Sequence, residues 1–293
     1  MAGSKSGAVL VTGASTGIGR ATALHLAEKG YRVFAGIRKQ KDADSLTEAA
    51  SGNLTPITLD VSKAGHIEAA EKKVRRAVGK EGLYGLVNNA GIGDGGPIEF
   101  VPIEDFKRVI DVNLTGQVAM TQAFLPLIRR ATGRIVFITS IGGKIATPFM
   151  SPYHASKFGL EAVADSLRRE VKPWGIEVIV IEPGNIATEI WRKGGESADA
   201  QRDKAPPEAE RLYGSQMTRF EEVLREADTR GIEPVKVGKT IRRALEARRP
   251  RTRYLVGTDA KVARNVERVL PNRTFDRVIR NQLKLPDDAP PGR

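Results

Sequence analysis

The fold is decided near the start of the chain by the stretch Ala8-Val9-Leu10-Val11-Thr12-Gly13-Ala14-Ser15-Thr16-Gly17-Ile18-Gly19. Its first five residues are apolar or β-branched, which predicts a short buried strand. Glycines follow at positions 13, 17 and 19, and helical spacing of apolar side chains begins at the second of them. Glycine permits a tight turn and a close backbone approach to a ligand, while exposed amides at a helix start stabilise an anion. The stretch therefore predicts a site for the pyrophosphate of a dinucleotide.

The same alternation of strand and helix patterns continues along the chain. Strands that alternate with helices form parallel sheets, so we predict an α/β fold with one Rossmann-type doubly wound sheet. Helices are expected on both faces, in a single domain spanning residues 1–293. About seven strands are predicted, at Ala8–Thr12, Arg32–Ile37, Leu54–Leu59, Gly85–Asn88, Arg134–Thr139, Glu177–Glu182 and Arg253–Gly257. The predicted helices include Gly17–Lys29, Ala64–Val78, Ile103–Arg129 and Tyr153–Val171.

Two regions depart from this alternation. The segment from about 189 to 222 is polar, charged and contains Pro206-Pro207, which predicts an irregular lid over a ligand or, alternatively, a surface loop. The extension from about 258 to 293 has helical spacing of apolar residues, with basic residues opposite them. We expect this helical extension to dock on the core or on another subunit rather than on a membrane surface. Its apolar positions are Val262, Val266, Val269, Leu270, Val278, Ile279 and Leu283.

Composition excludes several kinds of site. The chain has no cysteine, which removes disulfides and thiolate chemistry and fits a reducing cytoplasm. The three histidines lie far apart, so we expect no metal. No apolar stretch approaches the roughly 18 residues of a membrane helix, so we expect no integral membrane association. The net charge of +12 is concentrated in residues 239–253, without interleaved aromatic residues. We interpret that region as a solvated basic face and not as a nucleic-acid site.

The end of the second strand indicates which dinucleotide binds. Folds that prefer NAD usually place an acidic residue there, where it binds the ribose 2′-hydroxyl. This chain has Ile37 followed by Arg38 and Lys39. Because an arginine can pair bidentately with a 2′-phosphate, we predict NADP(H) with Arg38 on that phosphate, and NAD(H) as the alternative.

Three polar residues form a candidate group for proton transfer. Tyr153 and Lys157 are four residues apart at a helix start, so they share one face. A free phenol has a pKa of about 10, but a neighbouring ammonium and an oxidised nicotinamide favour its ionised form. Ser140 follows a predicted strand, at the sheet edge where ligands bind, and a hydroxyl there can donate to a substrate carbonyl oxygen. His154 adjoins Tyr153 but points about 100° away on a helix, so we predict no chemical role for it.

Six motifs stand in a fixed order along the chain, namely Thr12–Gly19, Asn88-Asn89-Ala90-Gly91, Asn113, Ser140, Tyr153-His154-Ala155-Ser156-Lys157 and Pro183-Gly184. In order and spacing they resemble the short-chain dehydrogenase/reductase family, over about residues 7 to 190. The resemblance implies a Rossmann fold, a homodimer or homotetramer, and hydride transfer between a nicotinamide dinucleotide and a CH–OH group. Three stretches also resemble the retinol and 17β-hydroxysteroid dehydrogenase branch: residues 134–143, 153–170 and 181–184.

The same resemblance implies roles for four catalytic residues. Tyr153 would be the general acid/base, and Lys157 would lower its pKa and hold the nicotinamide ribose. Ser140 would polarise the substrate carbonyl. Asn113 would bind a water that links Lys157 to solvent, which completes a proton relay.

The resemblance also implies contacts along the whole dinucleotide. Asp60 and Val61 match the adenine contact, Asn88 and Ala90 the adenosine half, and the segment after Pro183-Gly184 the carboxamide and phosphate. Together with Arg38, the predicted cofactor-binding residues are Gly13, Ser15, Thr16, Gly17, Ile18, Gly19, Asp60, Val61, Asn88, Ala90, Gly91, Tyr153, Lys157, Pro183, Gly184, Ile186 and Thr188.

The expected function is an NADP(H)-dependent reductase or dehydrogenase for a small, lipophilic ketone or secondary alcohol, of steroid or retinoid type. The charge of the predicted lid weighs against a steroid pocket. One alternative is a 3-oxoacyl thioester reductase, whose acidic carrier would bind the basic surface. Another is a dinucleotide-sensing protein without turnover, although the intact set of four catalytic residues argues against it.

Overall fold

A parallel sheet forms the centre of the computed structural model, which describes residues 7–188, 206–229 and 231–285. Its strand order is β3-β2-β1-β4-β5-β6-β7, and every neighbouring pair is parallel. The prediction of a doubly wound sheet of seven parallel strands is therefore confirmed. The strands are β1 (Ala8–Val11), β2 (Arg32–Ile37), β3 (Leu54–Thr58), β4 (Gly85–Asn88), β5 (Arg134–Ile138), β6 (Glu177–Pro183) and β7 (Arg253–Val256).

Helices pack on both faces of this sheet. Side chains alternate along each strand, so Val9 and Val11 enter the core on one face and Leu10 enters the core on the other. The first face packs against α1, α2 and α8, and the second against α3, α5 and α6. The helices are α1 (Gly17–Glu28), α2 (Gln40–Ala49), α3 (Ala64–Val78), α4 (Ile103–Ile110), α5 (Gly116–Ala131), α6 (Ser151–Glu170), α7 (Pro207–Thr229), α8 (Pro234–Glu246), α9 (Thr258–Val269) and α10 (Asn272–Gln282).

The strand order reverses between β1 and β4, and this reversal positions the site. Chains leaving the carboxyl ends of these two strands turn to opposite faces, which opens a crevice between them. The glycine turn after β1 and the Asn88-Asn89-Ala90-Gly91 motif at the end of β4 both lie at that crevice.

Small differences separate the predicted element ends from the observed ones. Strands β1, β3, β5 and β7 each end one residue early, and β6 ends one residue late, at Pro183. The predicted helix Ile103–Arg129 is interrupted by a π-helical turn, Asp111–Thr115. The interruption contains Asn113, and π-helical turns occur often at functional sites.

The predicted lid requires a correction. Of the segment 189–222, residues 189–205 lie outside the described residues. The remainder is not irregular, because it forms most of α7, which continues to Thr229. Pro207 is tolerated at the first helical position, where its missing N–H is not needed, and Ala209 and Phe220 are buried.

The basic region and the C-terminal extension also differ from expectation. Residues 234–246 form α8, which buries Val237, Ile241 and Leu245 and leaves Lys239 exposed. Arg253 turns inward instead of joining the solvated basic face, and it pairs with Glu161.

The extension forms the two helices α9 and α10, which Pro271 separates because it cannot continue a helix. Leu283 is buried and Ile279 packs beside it, so core docking is confirmed at this end. By contrast, Val262 and Val269 are 57% and 79% exposed, so these two do not dock on the core, and their contact with another subunit stays a prediction. A search of the described residues finds no helix with the length and apolar character needed to cross a membrane.

Candidate active site

The turn after β1 has the shape of an anion cradle. Gly13 and Gly17 have φ of +63° and +53°, in the left-handed region that favours glycine. A Cβ atom on Gly19 would lie 2.2 Å from the Gly13 carbonyl oxygen, and one on Gly13 would lie 2.8 Å from Cα of Ala90. The turn is therefore closed to side chains. The first amides of α1 have no partner within the helix, so they remain for a ligand.

A clamp of hydrogen bonds fixes this turn to the end of β4. The Thr12 hydroxyl accepts from the backbone N–H groups of Asn89 and Ala90, each at 2.9 Å. In return, Asn89 Nδ2 donates to the carbonyl oxygens of Thr12 and Gly13, at 2.9 and 3.2 Å. Asn89 was not among the predicted site residues. The signal that identifies it is its position beside Asn88 at a strand end, facing a glycine turn.

The loop after β6 lies over the same turn from the other side. A Cβ atom on Gly17 would be 3.2 Å from Thr188, so Thr188 borders the cradle. The Asn185 backbone N–H donates to Oδ2 of Asp259 at 2.6 Å, which ties this loop to the first turn of α9. Ile186 pairs with Ile232 in an isolated parallel bridge. Asp259 is thus a further support of the loop that sequence analysis missed.

A charged pair lies near the end of β2. The Asp60 carboxylate accepts from the Ser62 N–H at 3.1 Å and the Ser62 hydroxyl at 2.7 Å. Burial opposes ionisation of Asp60, but these hydrogen bonds and the charge of Arg38 hold its pKa below the usual value. Arg38 is exposed directly after β2. The end of β2 therefore presents an accessible guanidinium beside an ionised carboxylate.

The structure brings the predicted catalytic residues Ser140, Tyr153 and Lys157 together, and all three are buried. Ser140 follows β5, and its hydroxyl accepts from the Gly142 N–H at 2.9 Å and donates to the hydroxyl of Tyr153. Burial raises the pKa of Tyr153, and the Ser140 hydrogen bond opposes this shift. The expected lowering by Lys157 is not present in the protein alone, because Lys157 Nζ lies 5.6 Å from the Tyr153 ring centroid and donates elsewhere.

Lys157 has an unusual environment for a lysine. Its Nζ donates to the Ile138 carbonyl oxygen at 2.9 Å. Burial lowers its pKa to about 8, and the Glu161 carboxylate opposes that shift. A Cβ atom on Gly91 would stand 3.7 Å from the same Nζ, so the ammonium reaches the crevice at the Asn88–Gly91 motif.

Asn113 connects two parts of the site from within the π-helical turn. Its Oδ1 accepts from the Ile92 N–H and its Nδ2 donates to the Ile92 carbonyl oxygen, both at 2.8 Å. Nδ2 also donates to the Ser156 hydroxyl at 3.1 Å, which donates in turn to the Tyr153 carbonyl oxygen at 2.6 Å. Ser156 therefore joins Asn113 to α6. Ser156 lies within the motif from Tyr153 to Lys157, but no role was predicted for it.

His154 holds the loops that flank Tyr153. Its Nε2 accepts from the Thr147 N–H at 2.9 Å, so Nδ1 carries the proton and donates to the Gly142 carbonyl oxygen at 2.8 Å. Burial lowers the pKa of His154, and the bond to Gly142 opposes the shift. A neutral imidazole with both nitrogens engaged has a structural role, which agrees with the prediction that it does no chemistry.

Tyr153 belongs to a small apolar cluster. It contains buried Met150 and Phe220, the latter from α7, and Leu283 from the C-terminal end. Phe149 packs edge-on against Tyr213 and Phe220, with ring centroids 6.5 and 5.6 Å apart. Residues of α7 and of the C-terminal extension thus join the cluster that contains Tyr153.

Comparisons with known proteins agree with this geometry. The model of the short chain dehydrogenase family matches residues 7–199. The chain is 38% identical to retinol dehydrogenase 5 of Mus musculus over 277 residues, 92% of this chain and 87% of that protein. It is 32% identical to the NADPH-dependent 3-dehydrocapnine reductase of Ornithobacterium rhinotracheale, with 94% of this chain and 96% of that protein covered.

The chain belongs to the short-chain dehydrogenase/reductase family. A solved short-chain dehydrogenase from Streptomyces avermitilis superposes with a TM-score of 0.76 at 25% identity, covering 98% of this chain and 100% of that one. The dehydrogenase lies on the retinol dehydrogenase-like side of the family. It is an oxidoreductase of CH–OH groups that uses NAD or NADP. The predicted family, branch and enzyme class are thereby confirmed.

The residues of the dehydrogenase fit a nicotinamide dinucleotide. The cradle at Gly13, Gly17 and Gly19 leaves no room for a Cβ atom at its base but presents backbone amides to a pyrophosphate. Thr188 borders that cradle, and Lys157 stands at the Asn88–Gly91 motif. The chain thus offers contacts from the phosphates to the reactive hydroxyl.

We predict that Gly19→Ala weakens dinucleotide binding more than it destabilises the fold. The added Cβ would lie 2.2 Å from the Gly13 carbonyl oxygen and 2.5 Å from Asn89 Nδ2, so the turn must open. We expect affinity to fall by about a hundredfold, which corresponds to about 2.7 kcal/mol. Calorimetric titration with NADPH measures this affinity. The matched control is Gly65→Ala in α3, where a Cβ meets no atom within 4 Å. Equal affinity of both variants would contradict the cradle.

Proposed function

We propose that the dehydrogenase interconverts a ketone and a secondary alcohol on a lipophilic substrate, with NADP(H) as its preferred cofactor. One observation carries the proposal: the hydrogen-bonded pair of Ser140 and Tyr153 lies beside buried Lys157 and beneath an apolar cluster. A ketone oxygen at the two hydroxyls would leave its carbon substituents in the apolar cluster. The dinucleotide, when bound, donates or accepts the hydride.

Tyr153 is proposed as the proton donor in the reducing direction. Its raised pKa keeps the phenol protonated at neutral pH in the protein alone, so it has a proton to give to the developing alkoxide. The Ser140 hydroxyl can turn from Tyr153 to the substrate oxygen while still accepting from Gly142. Ser140 thereby orients the carbonyl and stabilises the negative charge that forms on its oxygen.

Lys157 and Asn113 are proposed to support that step. Lys157, with its lowered pKa and its place at the crevice, can bind ribose hydroxyls and stabilise a phenolate after proton transfer. Asn113 binds both polar groups of the Ile92 backbone and the Ser156 hydroxyl, and so fixes α6. In the oxidising direction the same groups stabilise Tyr153 as the base.

Arg38 supports the preference for NADP(H). It is exposed at the end of β2, where an acidic residue would instead bind the 2′-hydroxyl of NAD. The relative from Ornithobacterium rhinotracheale bears the name of an NADPH-dependent reductase, which agrees with this preference. The homo-oligomer and the cytoplasmic location expected from sequence stay predictions.

The apolar cluster supports a lipophilic substrate. It is formed by residues of α6, α7 and the C-terminal end around Tyr153, and the relatives include a retinol dehydrogenase. A screen that follows NADPH oxidation at about 340 nm, with ketones, aldehydes, sterols and retinoids, tests the proposal as a whole. Activity confined to short thioesters would favour the 3-oxoacyl reductase instead.

Tyr153→Phe should lower kcat/KM by at least about a hundredfold, because positioned acid–base groups contribute about that factor or more. Cofactor affinity should change little, because the ring stays. Steady-state kinetics and NADPH titration measure the two effects. The matched control is Tyr213→Phe on α7. It removes a hydroxyl that donates to the Glu99 carboxylate at 2.8 Å. Wild-type turnover in Tyr153→Phe would rule out the mechanism.

Arg38→Ala should weaken NADPH far more than NADH, because only NADPH has the phosphate that the guanidinium binds. We expect the ratio of the two kcat/KM values to fall by about tenfold or more, as loss of a charge-assisted hydrogen bond costs about 1.5–3 kcal/mol. Arg76→Ala, which removes an exposed charge from the last turn of α3, serves as the control. A wild-type enzyme that prefers NADH would refute the assignment.

Phe220→Ala should reduce kcat/KM for a long-chain or polycyclic ketone by about tenfold while leaving a three- or four-carbon ketone unaffected. The reason is that Phe220 supplies apolar surface from α7 that only a large substrate reaches. The ratio of the two activities is the readout, since loss of folded protein would lower both. Phe220→Leu should restore most of the preference. If the ratio in Phe220→Ala stayed at the wild-type value, Phe220 would not contact the substrate.

A further inference from the structure

A buried carboxylate stands one helical turn beyond Lys157. Glu161 lies on α6, four residues after Lys157, and is 5% exposed. Its Oε1 accepts from the Thr139 hydroxyl at 2.7 Å. Its Oε2 accepts from Lys144 Nζ at 2.7 Å and from Arg253 Nε at 3.0 Å. Both oxygens are therefore engaged, although Glu161 belongs to none of the family motifs described above.

Two of these partners flank Ser140. Thr139 precedes Ser140, and Lys144 follows the 3₁₀ turn Ile141–Gly143 that begins beside it. A Cβ atom on Gly143 would come within 3.2 Å of Glu161 Cγ, so the turn packs against the Glu161 stem. Glu161 thus holds both ends of the short loop that carries the Ser140 hydroxyl.

Glu161 also interacts electrostatically with Lys157. Residues four apart lie on one helix face, so the carboxylate and the ammonium are neighbours. Burial lowers the pKa of Lys157 to about 8, and the charge of Glu161 opposes that shift. Lys157 also donates to Ile138, the residue before Thr139, so both side chains anchor to the same strand end.

Other charged groups, of both signs, lie around Glu161 on further elements. They are Lys144 in the Ser140 loop, Glu182 on β6, and Arg253 on β7, with Asp165 one turn further along α6. Glu182 is buried, and burial followed by the charge of Glu161 raises its pKa to about 6. Lys144 and Arg253 lie within ion-pair distance of both carboxylates.

Such a network is costly if it serves stability alone. Removing ions from water carries a penalty that their attraction often fails to repay, and apolar side chains would fill the space at less cost. The position of the network, between the Ser140 loop and Lys157, indicates another purpose.

We propose that Glu161 is a positioning residue of the reaction, which fixes the Ser140 loop at both ends and keeps a negative charge beside the Lys157 ammonium. The proposal rests on the roles proposed above for Ser140, Tyr153 and Lys157. Glu161 acts through those residues and does not touch the substrate.

The test compares Glu161→Gln with Asp165→Asn across a pH series. The kcat/KM for the dinucleotide reports the free enzyme, in which Lys157 loses its proton near pH 8. Glu161→Gln removes the charge that stabilises the ammonium, so the pKa of Lys157 falls and the alkaline limb moves to lower pH by about one unit. Asp165→Asn removes a charge from the same helix and a partner from the same Arg253, and should leave the limb in place. Glu161→Asp keeps the charge and should restore it.

Thr139→Val separates the positioning part from the electrostatic part. It removes the hydroxyl that Glu161 accepts from but leaves the charge, so kcat should fall by about threefold or more, as for loss of one net hydrogen bond, without moving the limb. Glu161→Gln and Asp165→Asn profiles that superimpose would overturn the proposal. The affinity for NADPH over the same pH range gives a reading without turnover, because Lys157 holds the ribose. An inactive wild type, or an active Tyr153→Phe, would instead count against the proposed function.

Discussion

The dinucleotide site depends on a hydrogen-bonded clamp between two strand ends. Thr12 after β1 accepts from two amides that follow β4, and Asn89 donates back to the carbonyls of Thr12 and Gly13. The clamp draws the two backbones so close that a Cβ atom on Gly13 would lie 2.8 Å from Cα of Ala90. The clamp therefore requires glycine at this position, because the two backbones leave no room for a side chain. The anion cradle exists because the strand order reverses here and the two chain ends are then tied together.

The candidate catalytic residues lie at the same edge of the sheet, and they are buried. Buried polar atoms are costly unless they have partners, and these have them. Lys157 binds the end of β5, Ser140 binds Gly142 and Tyr153, and Asn113 binds the Ile92 backbone. Burial nevertheless raises the pKa of Tyr153 and lowers that of Lys157. Opposed shifts of two adjacent groups are characteristic of acid–base sites.

The fold and the candidate catalytic residues can be predicted from the sequence because their signals are local. Apolar runs mark the strands, and the glycine turn and the Tyr153–Lys157 spacing need only neighbouring positions to be recognised. Glu161 and Asn89 gave no such signal, because their partners lie on other strands and loops and meet them only after folding. The helix α7 was missed for a different reason: Pro206-Pro207 indicates a break, yet proline is compatible with the first turn of a helix.

Burial also affects the protonation states in which Tyr153 and Lys157 would enter the proposed reaction. In the protein alone, the site favours a neutral phenol and weakens the ammonium, so Tyr153 holds its proton. A reduced nicotinamide is neutral and leaves that balance unchanged, which suits Tyr153 as an acid toward a ketone. An oxidised nicotinamide is positive and favours the phenolate, which suits Tyr153 as a base toward an alcohol. In the proposed reaction the same buried pair would serve both directions, with Lys157 charged when the phenolate forms. A negative side chain fixed on the far side of Lys157, where Glu161 stands, helps to keep it so.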